Sequence, residues 1–200
     1  MAAMTDIKPG FRDPVLDSQA VFRAVLDAMA RPGRMQSVSL LDDVPAPLAP
    51  ASAAVCLALV DQDTPLWIAP DLKSHAVETF LKFHCGCTLV DDRSKAAFAI
   101  ASASKLPALD GFAIGDDAYP ETSTTVIVQT KGLAADPDLT LRGPGIEKSH
   151  SLSVQGMRGG VWREWAENGV LFPCGIDLIL VAGTTLAALP RTTAVTEQEG

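Results

Sequence analysis

The stretch Pro65–Asp92, PLWIAPDLKSHAVETFLKFHCGCTLVDD, carries the signature that sets the fold class. Leu66, Trp67 and Ile68 form a short β-favouring run closed by Pro70. Leu72, Ala76, Phe80 and Phe83 then recur at helical spacing, which predicts an amphipathic helix with those side chains inward and Gly86 just past its end. Thr88, Leu89 and Val90 give a second short strand. Strand, helix and strand at this spacing read as a crossover unit of an α/β protein.

N-terminal to this unit, DSQAVFRAVLDAMARPG (residues 17–33) reads as a helix. Val21, Phe22, Val25, Leu26 and Met29 fall on one side. Asp17 or Ser18 is the expected cap. Pro32 cannot continue the hydrogen-bond ladder and Gly33 permits a left-handed turn, so the helix ends at Arg31. MQSVSL (35–40) alternates like a short strand. Pro45, Pro47 and Pro50 mark a linker, and ASAAVCLALVDQ (51–62) reads as a buried, Ala-rich helix.

C-terminal to the unit, AAFAIAS (96–102) and TTVIVQT (124–130) read as buried strands, with an irregular stretch over 103–121 between them. LTLRGPG (139–145) and SLSVQG (151–156) suggest a hairpin or meander around a Gly-Pro-Gly turn. VWREWAEN (161–168) is a helix ended by Gly169, and FPCGIDLILVAG (172–183) is a turn followed by a buried strand. These elements predict one α/β domain, three-layered around a mixed sheet. Its core spans 6–191 and its polar, frayed tail 192–200.

A formal net charge of −8 repels polyphosphate backbones at long range, which disfavours nucleic-acid binding. No run approaches the ~18 apolar residues of a membrane span, and the first ten residues lack the apolar segment of a signal peptide. The expectation is a cytoplasmic chain whose thiols, Cys56, Cys85, Cys87 and Cys174, stay reduced.

Candidate chemistry is sparse. The amides of Gly143, Gly145 and Ile146 could converge on an anion, with Arg142 supplying charge. A plain turn leaving a strand is the commoner use of Gly-Pro-Gly. Neither GxxxxGK[ST] nor GxGxxG occurs. His84, Cys85 and Cys87 could offer three metal ligands, but Cys-x-Cys alone is a weak zinc signal, and buried thiols at a helix end are the simpler reading. His75 on a helix surface and His150 in a loop have no assignable partner. The pairs Asp42-Asp43, Asp91-Asp92 and Asp116-Asp117 could bind magnesium, or simply serve turns. Trp162 and Trp165 share one helix face, as core or as an interface anchor.

Together the segments carry a resemblance. GFRDPVLDSQAVFRAVLDAMARPG (10–33), FHCGCTLVDD (83–92), PETSTTVIVQT (120–130), LTLRGPGIE (139–147), FPCGIDLILVAG (172–183) and ALPRTT (188–193) resemble, in order, those of the H-subunit family of bacterial carbon–phosphorus lyase. Cys85 stands where that family usually has threonine. The resemblance implies a fold similar to the large domain of PLP-dependent transferases, without the PLP site. It implies a homodimer that joins a core complex with the G, I and J subunits. With G and I, and with L assisting, that machinery transfers the ribose triphosphate of MgATP to a phosphonate such as methylphosphonate and releases adenine. The resemblance brings no catalytic residue, metal or cofactor to this chain, and the isolated chain is expected to be inactive. Arg142, Gly143 and Gly145 remain the candidate ligand contacts. Two alternatives compete: a scaffold that dimerises and docks partners without touching substrate, and an independent enzyme using His84 with Cys85 or Cys87.

Overall fold

A computed structural model describes residues 7–198. A seven-stranded sheet forms its centre. Its strands are β1 (Gln36–Ser37), β2 (Leu66–Ile68), β3 (Leu89–Val90), β4 (Phe98–Ser102), β5 (Thr125–Gln129), β8 (Asp177–Ala182) and β9 (Thr185–Leu189). Their spatial order is β1-β9-β8-β5-β4-β2-β3. The run β3-β2-β4-β5-β8 is parallel, while β9 is antiparallel to β8 and β1 to β9. The sheet is therefore mixed, as expected. The crossover unit is present too: β2 passes through α3 (His75–Cys85) to its parallel neighbour β3.

Alternation along the strands feeds two cores. Leu66, Ile68, Ile100, Ile127, Ile179 and Val181 face α1 (Pro14–Ala30), α2 (Pro50–Leu59) and α3. Trp67, Ala99, Ala101, Val126, Val128, Leu178 and Leu180 face the opposite way, toward α4 (Val161–Val170) and a second sheet. That second sheet has the order β10-β6-β7, from β6 (Gly132–Arg142), β7 (His150–Gln155) and β10 (Ala194–Glu197). Because both faces of the central sheet are covered, its strands must be apolar at nearly every position.

Local chemistry sets the helix boundaries. α1 starts earlier than expected: Asp13 is its cap, accepting from the amides of Val15 (3.1 Å) and Leu16 (3.0 Å), and Pro14 pre-sets the first helical residue. The cap is thus neither Asp17 nor Ser18. Its buried stripe is Val21, Val25 and Ala28, whereas Phe22 and Leu26 are 50% and 57% exposed. At α1 the inward face carries slim side chains and the bulkier Phe22 and Leu26 turn outward. α3 shows the same rotation: Val77, Phe80, Leu81 and Cys85 are buried, Ala76 is exposed, and Phe83 is 67% exposed. Ser74 caps its start and Gly86, at φ +67°, its end. α2 is packed almost wholly inside, with residues 51–56 all buried.

The C-terminal segment departs from the frayed tail expected over 192–200. β9 was not foreseen, and Ala194–Glu197 pair antiparallel with β6 as β10. Thr193 is buried, and its carbonyl accepts from Trp165 Nε1 at 2.8 Å. Trp162 and Trp165 are both core residues, 8% and 1% exposed. No helix among the described residues is long and apolar enough to cross a membrane.

Two ion pairs tie the irregular segments down. Arg191 meets Asp177 at 2.6 Å, bonds Ser123 Oγ at 2.6 Å, and donates to the carbonyls of Pro120 and Pro173, both at 3.1 Å. Arg158 grips Glu164 in a two-point contact at 2.5 and 2.8 Å, and also bonds the carbonyls of Leu106 and Pro107. This contact holds the Glu164 carboxyl below the usual glutamate range.

Three consequences for stability follow from these contacts. Asp177→Ala leaves Arg191 mostly buried without its partner and should cost about 3 kcal/mol in urea denaturation. Gly145→Ala should cost a similar ~3 kcal/mol, since Gly145 has φ +81° and an added Cβ would stand 2.1 Å from the carbonyl oxygen of Ala30. The lowered Glu164 value means its contribution is complete above the unfolded-state carboxyl pKa and is lost as pH falls through the folded one. Stability measured against pH should therefore drop less steeply on the acid side in Glu164→Gln than in the parent.

Candidate functional site

Three of the family-like segments converge at one place. The end of α1, Ala30-Arg31-Pro32-Gly33, meets the β6–β7 turn, Arg142-Gly143-Pro144-Gly145, and that turn also touches Thr192 of the segment after β9. The contact is close enough to require glycine. A Cβ at Gly33 (φ +81°) would lie 2.4 Å from Leu141 Cδ1 and 2.8 Å from the His150 ring. A Cβ at Gly143 (φ +142°) would lie 2.7 Å from the Thr192 carbonyl oxygen. Gly33 N–H donates to the Ala188 carbonyl at 3.0 Å, which fastens this junction to β9 of the central sheet.

An open cleft of about 400 Å³ lies over the junction. Arg31, Arg34, Lys148, His150, Gly145 and Glu147 are among the residues that line it. Among the described residues, the lining thus holds three permanent cations and one carboxylate, in a chain that is acidic overall. Arg31 is held by Asp27, which also accepts from Gln36 Nε2 at 2.5 Å. Arg34 and Lys148 are exposed. Such a set suits an anionic ligand, because guanidinium forks and an ammonium group make charge-assisted hydrogen bonds to oxyanions.

The residues singled out in the sequence are divided by the fold. Gly145 lines the cleft and Gly143 packs behind it. Arg142 is exposed, outside the cleft lining, on the opposite side of β6 from the buried Leu141. The Ile146 amide is used within the turn, donating to the Gly143 carbonyl at 3.2 Å, so it does not join an amide cradle. His150 opens β7 rather than lying in a loop. Arg31, Arg34 and Lys148 escaped sequence reasoning. The signal available was the repetition of a Pro-Gly turn flanked by basic residues, RPGR at 31–34 and RGPGIEK at 142–148.

The other candidates disperse. His84 turns away from the thiols: its Nε2 lies 2.9 Å from the Lys8 carbonyl, and its ring packs against Phe80 and Phe83 with centroids 4.6 and 5.0 Å apart. Cys85 and Cys87 are buried, and Cys87 Sγ lies 3.9 Å from the Leu81 carbonyl. The hydrogen bond to Cys87 and burial both push the Cys85 thiol up, and burial does the same to Cys56. Among the described residues, no three His, Cys, Asp or Glu side chains gather as a metal site. Asp42 pairs with Arg12, Asp43 with Lys8, and Asp91 with Lys73, while Asp92 and Asp116 cap local turns. Asp117 accepts from Cys174 Sγ at 3.8 Å.

Comparison with known proteins matches residues 9–196 to the family described as bacterial phosphonate metabolism protein (PhnH). The chain is 39% identical over 195 residues to the alpha-D-ribose 1-methylphosphonate 5-triphosphate synthase subunit PhnH of Rhizobium meliloti (strain 1021), covering 96% of this chain and 98% of that protein. It is 31% identical over 179 residues to a putative C-P lyase subunit protein, HtxG, of Stutzerimonas stutzeri, covering 88% of this chain and 85% of that one. With a family match over residues 9–196 and a relative 39% identical and covered to 98% of its length, this chain belongs to the PhnH family of bacterial phosphonate metabolism proteins.

Proposed function

We propose that the chain is a non-autonomous subunit of a phosphonate-activating transferase. Acting with G and I subunits, and with an L subunit assisting, it supports transfer of the ribose 5-triphosphate of MgATP to a phosphonate such as methylphosphonate, with release of adenine. The observation that carries this reading is the end-to-end similarity to a protein named as a subunit of that synthase. The cationic cleft adds a physical reason: both reactants are anionic, and the cleft offers convergent positive charge on a chain of net charge −8. In this reading the protein is cytoplasmic, forms a homodimer, and joins a core complex that also contains a J subunit. The layered α/β architecture is compatible with the further proposal of kinship to the large domain of PLP-dependent transferases.

A scaffold role is the second reading, and one observation favours it. Val170, Leu171 and Phe172 are consecutive and 84%, 43% and 63% exposed, an apolar run suited to docking. Replacing these three with polar residues should separate the readings, because a pure scaffold loses assembly and activity together while its cleft variants keep both.

The direct test is adenine release from ATP with methylphosphonate by G, I and L subunits, with and without this chain. Release should fall at least tenfold when the chain is omitted, and the chain alone should release none. Equal release without it would overturn the subunit reading.

A further inference from the structure

We propose that the cleft between the end of α1 and the β6–β7 turn is a phosphate-chain site, in which Arg34 and Lys148 contact the ligand directly and Arg31 is held in place by Asp27. The inference rests on the subunit reading only for its biological source of ligand, a nucleoside or ribosyl triphosphate; the site itself rests on geometry.

The argument starts from charge. A triphosphate carries several negative charges along a chain of tetrahedral groups, so it is matched by a row of cations rather than by one. Arg31, Arg34 and Lys148 bring three cations to one cleft from two different segments. Arginine offers a planar fork to two phosphate oxygens and lysine a point charge. Among the described residues Glu147 is the one carboxylate on the lining, and it lies beside Lys148 in sequence. The cleft, at about 400 Å³, falls within the range of small-ligand sites.

Rigidity is the second part. A chance cluster of surface cations sits on mobile loops, whereas this one stands on an interlocked base. Gly145 abuts the Ala30 carbonyl, Gly33 abuts Leu141 and His150, and the Gly33 amide is bonded to β9. The two turns that carry these cations are thus anchored to each other at Gly33 and Gly145 and to the central sheet, which lowers the ordering cost of binding. Asp27 orients Arg31 through an ion pair, as a positioning residue. Arg142, on the outer side of β6, is excluded from the contact set.

Titration calorimetry on the full-length chain tests this with inorganic tripolyphosphate, ATP and methylphosphonate as separate probes. Tripolyphosphate and ATP should bind saturably at one site per chain and compete with each other, with affinity falling as salt rises. Methylphosphonate should bind at least tenfold more weakly. Arg34→Ala and Lys148→Ala are exposed changes that leave the melting temperature intact, and each should weaken tripolyphosphate binding roughly tenfold, the scale of one lost charge-assisted contact. Arg142→Ala should leave it unchanged. Binding that survives the Arg34→Ala, Lys148→Ala double variant, or that is lost instead in Arg142→Ala, overturns the proposal. So does preference for methylphosphonate over tripolyphosphate, or the absence of saturable binding. Adenine release by the assembled subunits separates the two levels. A chain that fails to bind tripolyphosphate yet restores release refutes the cleft and keeps the subunit role; one that binds but never restores release refutes that role and keeps the cleft.

Discussion

Coverage of the central sheet on both faces is the constraint on which the rest of the molecule depends. A parallel core of β3-β2-β4-β5-β8 has to be shielded from water above and below. On one side α1 and α2 do this with small and β-branched side chains, and α3 adds Phe80 and Leu81. On the other the shield is composite, made of α4 and the β10-β6-β7 sheet. That composite layer brings the β6–β7 turn back over the end of α1. The cleft is therefore a by-product of roofing the sheet, and its position is fixed by the same contacts that bury Leu139, Leu141 and Leu152.

Charge distribution connects this architecture to function. Two of the ion pairs in this acidic chain, Arg158–Glu164 and Arg191–Asp177, are largely buried and organise loops. Around the α1–β6 junction, Arg34 and Lys148 join the Asp27-paired Arg31 at an open surface. Local positive potential within an acidic protein is the feature that a subunit handling anionic reactants requires. The buried thiols make no comparable case: they are shielded from solvent, and no acidic or histidine side chains gather with them as a metal site among the described residues.

Much of the fold was legible in short segments. Leu66–Ile68, Thr125–Gln129 and Asp177–Ala182 are apolar runs bounded by Pro, Gly or polar turns, so their strand character is local. Gly86 and Arg31-Pro32-Gly33 end helices for reasons contained in their own backbones. Which helix face turns inward was less legible. Phe22, Leu26 and Phe83 fit a helical stripe as well as Val21, Val25 and Phe80 do, and only the way each helix is rotated on the sheet selects between them. β9 and β10 were missed because Thr185–Leu189 and Ala194–Glu197 are unremarkable alone and become strands by pairing with β8 and β6.

By itself, the amino-acid sequence determined the α/β class, the β2–α3–β3 crossover, the Gly-Pro-Gly turn and the ordered segments that mark the family. These are properties of neighbouring residues, set by backbone propensity, apolar period and local order. The tertiary structure alone decided which charges act together. Arg31 and Lys148 are separated by more than half of the chain, yet both border one cleft, because Gly33 and Gly145 let two backbones approach without a side chain between them. Arg142, only three residues from Gly145, faces away, since alternation along a strand places neighbouring side chains on opposite sides.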